Sequence, residues 1–216
     1  MEKKYSLRFN PDPEWNNTIL GNRYFLGLYE LCKYIGYTLQ GREDMKLCEI
    51  GSYMGESTFV FASQLLFKEI HCIDPFEGPE EFNTMSNRTW GEVKREFWTN
   101  TRHWDNITLH QDYSYNTDHI FPDEHFDVIY IDGDHSYDSV IRDLNLYMPK
   151  LKHGGIICGH DYSHVHPETV KAINGLNASY NTRIKIISQV YRARYFGYIL
   201  IKTLLRMLSV TKINKM

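Results

Sequence analysis

Two short stretches hold the side chains best suited to chemistry. "YIDGDHSYDSVIRDL" (130–144) gathers Asp132, Asp134 and His135 where an apolar run ends and a helix begins. "GGIICGHDYSHVHPE" (154–168) does the same with His160 and Asp161, followed by His164 and His166. Acids that only face water scatter along a chain, so acids and imidazoles collected at the ends of apolar runs point to two halves of one active site. Paired carboxylates suit a hard divalent cation such as magnesium or manganese. A histidine beside them suits proton transfer near neutral pH. The plain alternatives are that Asp132 caps the helix that follows, as Asp134 or Asp138 does, and that His135 only hydrogen-bonds the backbone.

A third stretch, "CEIGSYMGEST" (48–58), reads strand, tight turn, helix. Gly51 permits a close backbone approach at the strand end, and Gly55 opens a helix whose free N–H groups can face a ligand. The spacing is G-x-x-x-G, which differs from the G-x-G-x-x-G of dinucleotide-binding folds. The next strand ends in Asp74, an acid able to accept hydrogen bonds from a ribose diol, and Asp112 follows the third strand at the same edge. Three consecutive strand ends with ligand-type groups indicate a nucleoside-containing cofactor, because open α/β sheets bind ligands there.

The elements that must position these groups follow from apolar spacing. Residues 16–40 carry Leu20, Tyr24, Leu28, Leu31, Tyr34 and Ile35 at helical intervals, which predicts one or two amphipathic helices behind a loose arm. Apolar runs at 46–50, 69–74, 106–111, 126–132 and 154–161 then alternate with helical segments near 56–67, 90–102, 137–151 and 167–178. That alternation predicts a parallel sheet with helices on both faces. In the segment 137–151, Ser136 is the expected N-cap, Val140, Leu144, Tyr147 and Leu151 form the apolar face, and Asp138 can pair with Arg142. The runs 183–190 and 194–202 lie too close together for a crossover helix, so they predict an antiparallel hairpin.

Taken together, "EIGSYMGEST", "IHCIDPFEG", "YIDGDHSYDSVIRDL" and "GGIICGHDY...HPETVKAI" resemble the class I S-adenosylmethionine-dependent methyltransferases. Within that class the macrocin O-methyltransferase-like branch is the nearest match, and the catechol O-methyltransferases are more distant. The resemblance runs from about Lys46 to Ile201. It implies a Rossmann-like α/β fold: a seven-stranded, mostly parallel sheet with helices on both faces and an antiparallel C-terminal hairpin. It also implies roles for individual residues toward S-adenosyl-L-methionine. Glu49 and Gly51, with Ser52, Tyr53, Gly55 and Ser57, would hold the methionine part. Asp74 would hold the ribose, Asp112 and Tyr113 the adenine edge, and Asp132 would border cofactor and metal.

The reaction so implied moves a methyl group to a hydroxyl of a small molecule, a sugar or another hydroxylated metabolite. In such a sheet the fourth and fifth strands are neighbours, so Asp132 and Asp161 converge on one divalent metal, magnesium or manganese. His135 would remove the hydroxyl proton; the catechol-type relatives commonly place a lysine at this spacing, and the macrocin-like branch a histidine. Related enzymes put a second oxygen ligand beside the acid after strand five, whereas here His160 and Tyr162 flank Asp161. Either His160 joins as an imidazole ligand, which shifts preference toward manganese, iron or zinc, or it points away.

Bulk properties narrow the alternatives. A chain of 216 residues suits one main domain. We divide it into an N-terminal arm and helices at 1–43 (cap, lid or dimer contact), a cofactor-binding domain at 44–202 and a tail at 203–216. The net charge of −3 gives no general attraction to nucleic acid. No run approaches the ~20 apolar residues of an integral membrane span, and the lysines near the start lack the apolar stretch of a secretory signal. Cys32, Cys48, Cys72 and Cys158 read as buried free thiols, which suits a cytoplasmic protein. The leading helices suit a homodimer contact, and the basic-apolar tail either touches a membrane surface or forms a terminal helix. Trp90, Phe97, Trp98 and Trp104 in the insertion 76–104 line an acceptor pocket or belong to the core. The competing functions are a nicotinamide-dependent oxidoreductase and an S-adenosylmethionine-binding protein without catalysis. A zinc hydrolase built on "HDYSHVH" lacks an H-E-x-x-H signature.

Overall fold

Aliphatic runs too short for helices form a parallel sheet buried on both faces, as such runs must when helices cover each side. The computed structural model describes residues 23–78, 88–180, 183–187 and 198–202. The expected arm, the tail, the middle of the 76–104 insertion and the tip of the expected hairpin lie outside the described residues. The strands are β1 (Met45–Ile50), β2 (Phe67–Ile73), β3 (Ile107–His110), β4 (Phe126–Ile131) and β5 (Leu151–Gly159). They lie parallel in the order β3-β2-β1-β4-β5. The order reverses between β1 and β4, which is the switch point where doubly wound sheets open a ligand crevice.

Register decides what meets at that crevice. Ile50 pairs with Ile73 on one side and Ile131 on the other, Ile73 pairs with His110, and Ile131 with Gly159. The residues that follow, Gly51, Asp74, Asp132 and His160, therefore emerge along one edge.

One face is covered by α1 (Arg23–Thr38), α2 (Glu56–Ser63) and α3 (Trp90–Thr101). Leu28, Leu31, Ile35, Phe61 and Phe97 pack there on Leu47, Val128 and Tyr130. The other face carries the single turn α4 (Ser114–Thr117), α5 (Tyr137–Tyr147) and α6 (Pro167–Tyr180). Val140, Leu144, Tyr147 and Ala172 pack there on Cys48, Ile129 and Ile157. Fully burying each large side chain contributes roughly 1.5–3 kcal/mol, so this two-sided alternation is the main source of stability. Strands β6 (Arg183–Ile187) and β7 (Tyr198–Lys202) follow α6.

Several expectations shift for local reasons. The helix expected over 56–67 stops at Ser63, because Leu65 adopts a left-handed φ of 54° and Phe67 already begins β2. The helix expected to 151 stops at Tyr147, where Pro149 turns the chain through a 3-10 segment (Met148–Lys150). Leu151 then opens β5 yet stays in the same apolar cluster. Ser136 caps α5 as expected, accepting the Ser139 N–H at 3.4 Å. Arg142 does not turn to Asp138: it lies over the Tyr115 ring at 4.5 Å and donates to Ser139 Oγ at 3.2 Å. All four cysteines are buried and free.

The end of the sheet opposite the crevice is tied by Asp127, buried at the start of β4. Its carboxylate accepts from Arg42 Nη1 (2.7 Å), the Lys46 N–H (2.9 Å) and Lys152 Nζ (2.8 Å). Burial pushes its pKa up, but these donors outweigh it and hold the group below its ordinary value.

Candidate active site

At the end of β1 the chain turns through Gly51, which has φ 84°. Its N–H donates to Ile73 O (2.9 Å), while the Asp132 N–H donates to Ile50 O (2.8 Å). A Cβ at position 51 would sit 2.2 Å from the Asp132 carbonyl oxygen, so only glycine fits this contact between the two candidate halves. Gly55, the N-cap of α2, has φ 75°, and its missing Cβ leaves room for Phe97 and Thr101 of α3. That glycine serves packing between helices as well as the turn.

Beneath the turn, the fully buried Glu49 carboxylate accepts from Ser52 Oγ (3.1 Å) and, through short bonds, from the hydroxyls of Ser57 and Thr58. Cys72 Sγ adds a contact at 3.5 Å. Burial raises the Glu49 pKa against the pull of these donors. Glu49 and Ser57 therefore spend their side chains on each other, fixing the turn to the first residues of α2. Asp74 is likewise buried and accepts the Tyr53 N–H at Oδ2 (2.7 Å) and the Phe76 N–H at Oδ1 (2.8 Å). Its pKa is raised by burial, with those backbone bonds opposing. Asp112 is exposed and accepts from Asn116 Nδ2 (2.8 Å) and the Tyr113 N–H (2.7 Å), the bond from Asn116 leading in holding it low. Tyr113 stacks on Tyr115, centroids 5.1 Å apart. Four of the expected cofactor positions, at 51, 53, 74 and 132, thus cluster where β1, β2 and β4 end.

The second half is tighter. Asp161 Oδ2 lies 3.0 Å from His135 Nε2, and Asp161 Oδ1 lies 2.9 Å from His160 Nδ1. His160 Nδ1 also lies 3.7 Å from Asp132 Oδ1, and the Tyr130 hydroxyl donates to Asp132 Oδ2 at 3.3 Å. One donor atom each from Asp132, His160 and Asp161 falls within 4.8 Å of the others, and the same holds for His135, Asp161 and His166. Asp161 sits at a left-handed φ of 60°, a costly conformation for a residue with a Cβ and one that concentrates at functional sites.

Charge is crowded here. Burial, with Asp161 adding and His160 opposing, pushes Asp132 up to about 7. Asp161 is held far below its ordinary range, because the bonds from His135 and His160 outweigh its burial. Burial lowers His135 and His160, but Asp161 and Asp132 outweigh it and both imidazoles are raised. The cavity beside them is lined by Asp132, Gly133, His135, Gly159, His160 and Thr169. Thr169 of α6 also donates to the His135 carbonyl at 3.2 Å, holding the loop in place.

The two readings of the acids separate cleanly. Asp134 is a capping residue, accepting from the Ser136 N–H (3.0 Å), Ser136 Oγ (3.0 Å) and Ser139 Oγ (2.7 Å). Asp132 instead faces His160 and Tyr130. The unexpected member is His166, with Nε2 3.6 Å from Asp161 Oδ1 and its ring edge-to-face with His135 at 4.4 Å. Nothing in a loop rich in histidines marks which one folds back onto the strand end. Among the insertion's aromatics, Phe97 is core, Trp90 and Trp104 pack edge-on against Tyr53 and Phe59, and Trp98 is half exposed.

A strand-order reversal, a glycine turn and an acid at the end of the next strand define a Rossmann-like cofactor-binding domain. The chain belongs to the family described as "Methyltransferase domain", whose model matches residues 48–162, more than half of its length. This agrees with the resemblance of its motifs to the class I S-adenosylmethionine-dependent methyltransferases. It is 29% identical to an uncharacterized protein of Acanthamoeba polyphaga mimivirus over 73% of this chain and 66% of that protein, so it spans just under two thirds of that relative's length. The O-methyltransferase TomG of Streptomyces achromogenes, solved with S-adenosylmethionine, shares the fold with a TM-score of 0.62. That match has 13% identity and covers 91% of this chain and 92% of that one. A ribosomal protein L11 methylase from Lactobacillus delbrueckii has a TM-score of 0.54, at 14% identity over 84% of this chain and 80% of that one. The family match supports methyl transfer over the nicotinamide-dependent alternative. Among the described residues, no helix is long and apolar enough to cross a membrane.

Proposed function

We propose that this methyltransferase methylates a hydroxyl of a small molecule, a sugar or another hydroxylated metabolite, with a divalent cation at the ends of β4 and β5. The observation that carries the reading is the convergence of Asp132, His135, His160 and Asp161 beside the Gly51 turn. The donor set fits a cation: two carboxylates and an imidazole lie within 4.8 Å of one another, and one of those carboxylates, Asp132, is half-buried with its pKa pushed up to about 7. Such a group gains most from a positive partner.

Asp132 and Asp161 would hold the cation, with His160 as an imidazole ligand that tilts the choice toward manganese over magnesium. The Gly51–Tyr53 backbone would face the methionine end of the cofactor, with Glu49 and Ser57 keeping the turn in shape. Asp74 would take the ribose hydroxyls on its remaining lone pairs, and Asp112 and Tyr113 the adenine edge. When bound, the cofactor supplies an electrophilic methyl on a sulfonium, and a divalent cation lowers the pKa of a hydroxyl beside it. His135 would accept the acceptor's hydroxyl proton at Nδ1, the ring nitrogen that does not face Asp161, while the oxygen takes the methyl group. Asp161, 3.0 Å away, steadies the imidazolium that results.

The same reading extends to the sheet's far edge as a C-terminal hairpin. Supporting it are antiparallel pairings of β6 with β7, Ile187 to Tyr198, and of β7 with β5, Ile199 to Gly159. The segments before β1 would then act as a cap over the crevice or as a homodimer contact. The direct test of the reaction is incubation with methyl-labelled cofactor, manganese and a panel of hydroxylated sugars, catechols and amines. Label on a hydroxyl, lost on chelation, is expected; label only on amines or on protein would overturn the reading.

A further inference from the structure

The outer half of the sheet carries a cluster that the methyl-transfer site does not use. Glu69 and His71 are alternate residues of β2 and so share one face. His110, at the end of β3, stands on that face beside them, and His125 reaches in from the loop before β4. Phe121 and Phe126 wall the cluster, with centroids 5.3 Å and 5.6 Å from His71.

We infer that Glu69, His71 and His125 form a second metal site, for a borderline divalent transition ion such as zinc. Its grounds are independent of the strand-end chemistry. One donor atom from each of the three lies within 4.8 Å of the others. Zinc bonds of about 2.0–2.1 Å place tetrahedral donors roughly 3.3 Å apart, so small side-chain rotations close the set. Two imidazoles and a carboxylate, with a position left for water, are a ligand combination zinc takes, whereas magnesium and calcium prefer oxygen alone.

The ligands are also pre-arranged. His71 Nδ1 lies 3.0 Å from His110 Nε2, which fixes the ring so that His71 Nε2 is directed at Glu69 Oε2, 3.4 Å away. An outer partner of this kind is what orients metal-binding histidines. Lys46 Nζ lies 2.9 Å from Glu69 Oε2. Its positive charge weakens the site without blocking it. A bound ion would brace β2 against the entry to β4, on the sheet face that carries α4.

Cobalt(II), a spectroscopic stand-in for zinc, tests this in the full-length chain carrying Asp161→Asn, which disables the strand-end carboxylate pair. One equivalent of cobalt should bind with the intense visible absorption of a tetrahedral site. That uptake should vanish on adding His125→Gln, with the metal-free circular dichroism spectrum unchanged. Should His125→Gln fail to fold, the more exposed Glu69→Gln carries the same test. Absence of cobalt uptake in the Asp161→Asn chain, or uptake that survives both substitutions, would overturn the assignment and leave the cluster as aromatic packing.

Discussion

Replacing Gly51 with alanine should damage both halves of the site at once. The added Cβ would lie 2.2 Å from Asp132 O, 2.6 Å from Asp132 C and 2.7 Å from Gly133 N, all of them backbone atoms that cannot rotate away. The ends of β1 and β4 would have to part, against the Asp132 N–H bond to Ile50 O at 2.8 Å. Holding a residue with a Cβ at φ 84° costs about 1–2 kcal/mol. Loosening one or two hydrogen bonds adds roughly 0.5–1.5 kcal/mol each. The total, about 1.5–5 kcal/mol, corresponds to a loss of cofactor affinity of roughly 10- to 4,000-fold if the turn is the binding surface. Calorimetric titration of S-adenosylmethionine reads this directly, and Gly91→Ala serves as the control. Gly91 lies in the first turn of α3, where a Cβ meets only Thr89 Oγ1 at 4.0 Å, so that change should be neutral or stabilising by up to about 1 kcal/mol. If Gly51→Ala binds cofactor as the unmodified chain does, the turn is not the binding surface and the account of β1 fails.

Other expectations are simpler. His135→Ala should lower the methyl-transfer rate by about 10²- to 10⁴-fold with cofactor affinity nearly unchanged; a parallel loss of binding would mean that the imidazole is structural. Asp143, buried behind the Asp132–Asp134 loop and bonded to Ser114 Oγ at 2.5 Å, has its pKa pushed up by burial to about 6. A raised folded-state pKa means ionisation costs stability, a cost present above about pH 6 and gone below the ordinary carboxylate value near pH 4. Asp143→Asn should therefore raise the thermal midpoint at pH 8 by several degrees, about 2 kcal/mol, and make no difference near pH 4; a midpoint lowered at pH 8 would contradict this. Asp127 behaves oppositely, its depressed pKa adding stability above about pH 4 that fades on further acidification. Asp127→Ala should cost roughly 2 kcal/mol in denaturant unfolding at pH 7, because Arg42 and Lys152 are partly exposed and recover some hydration.

Much of this arrangement was legible in the order of residues. The central strands β1, β4 and the second half of β5 announce themselves because they are buried on both faces and read as apolar runs, whereas β3 is only partly buried. The acids at their ends stand out against those runs, and Asp132, His135, His160 and Asp161 do converge. Less visible was which acids stay local. Asp134 and Asp132 are two residues apart with the same side chain, and only the loop's path sends one to cap α5 and the other to His160. Nor does Glu49 advertise that its carboxylate is consumed by Ser52, Ser57 and Thr58, since that depends on α2 doubling back over the strand end. The Asp127 tie joins residues 85 apart in sequence, and the Glu69, His71 and His125 cluster joins β2 to the loop before β4. Long-range meetings of this kind leave no periodic trace. The helix ends at Ser63 and Tyr147 shifted for a related reason: the next strand claimed residues that local propensity would have left helical.

The most direct test of the central claim is titration of S-adenosylmethionine into the purified chain, once after chelation and once with manganese. Binding is expected in both, because the Gly51 turn and Asp74 hold the cofactor without the cation, and methyl transfer only with metal present. Failure to bind in either condition, with NAD(H) binding in its place, would contradict the assignment of the strand-end crevice.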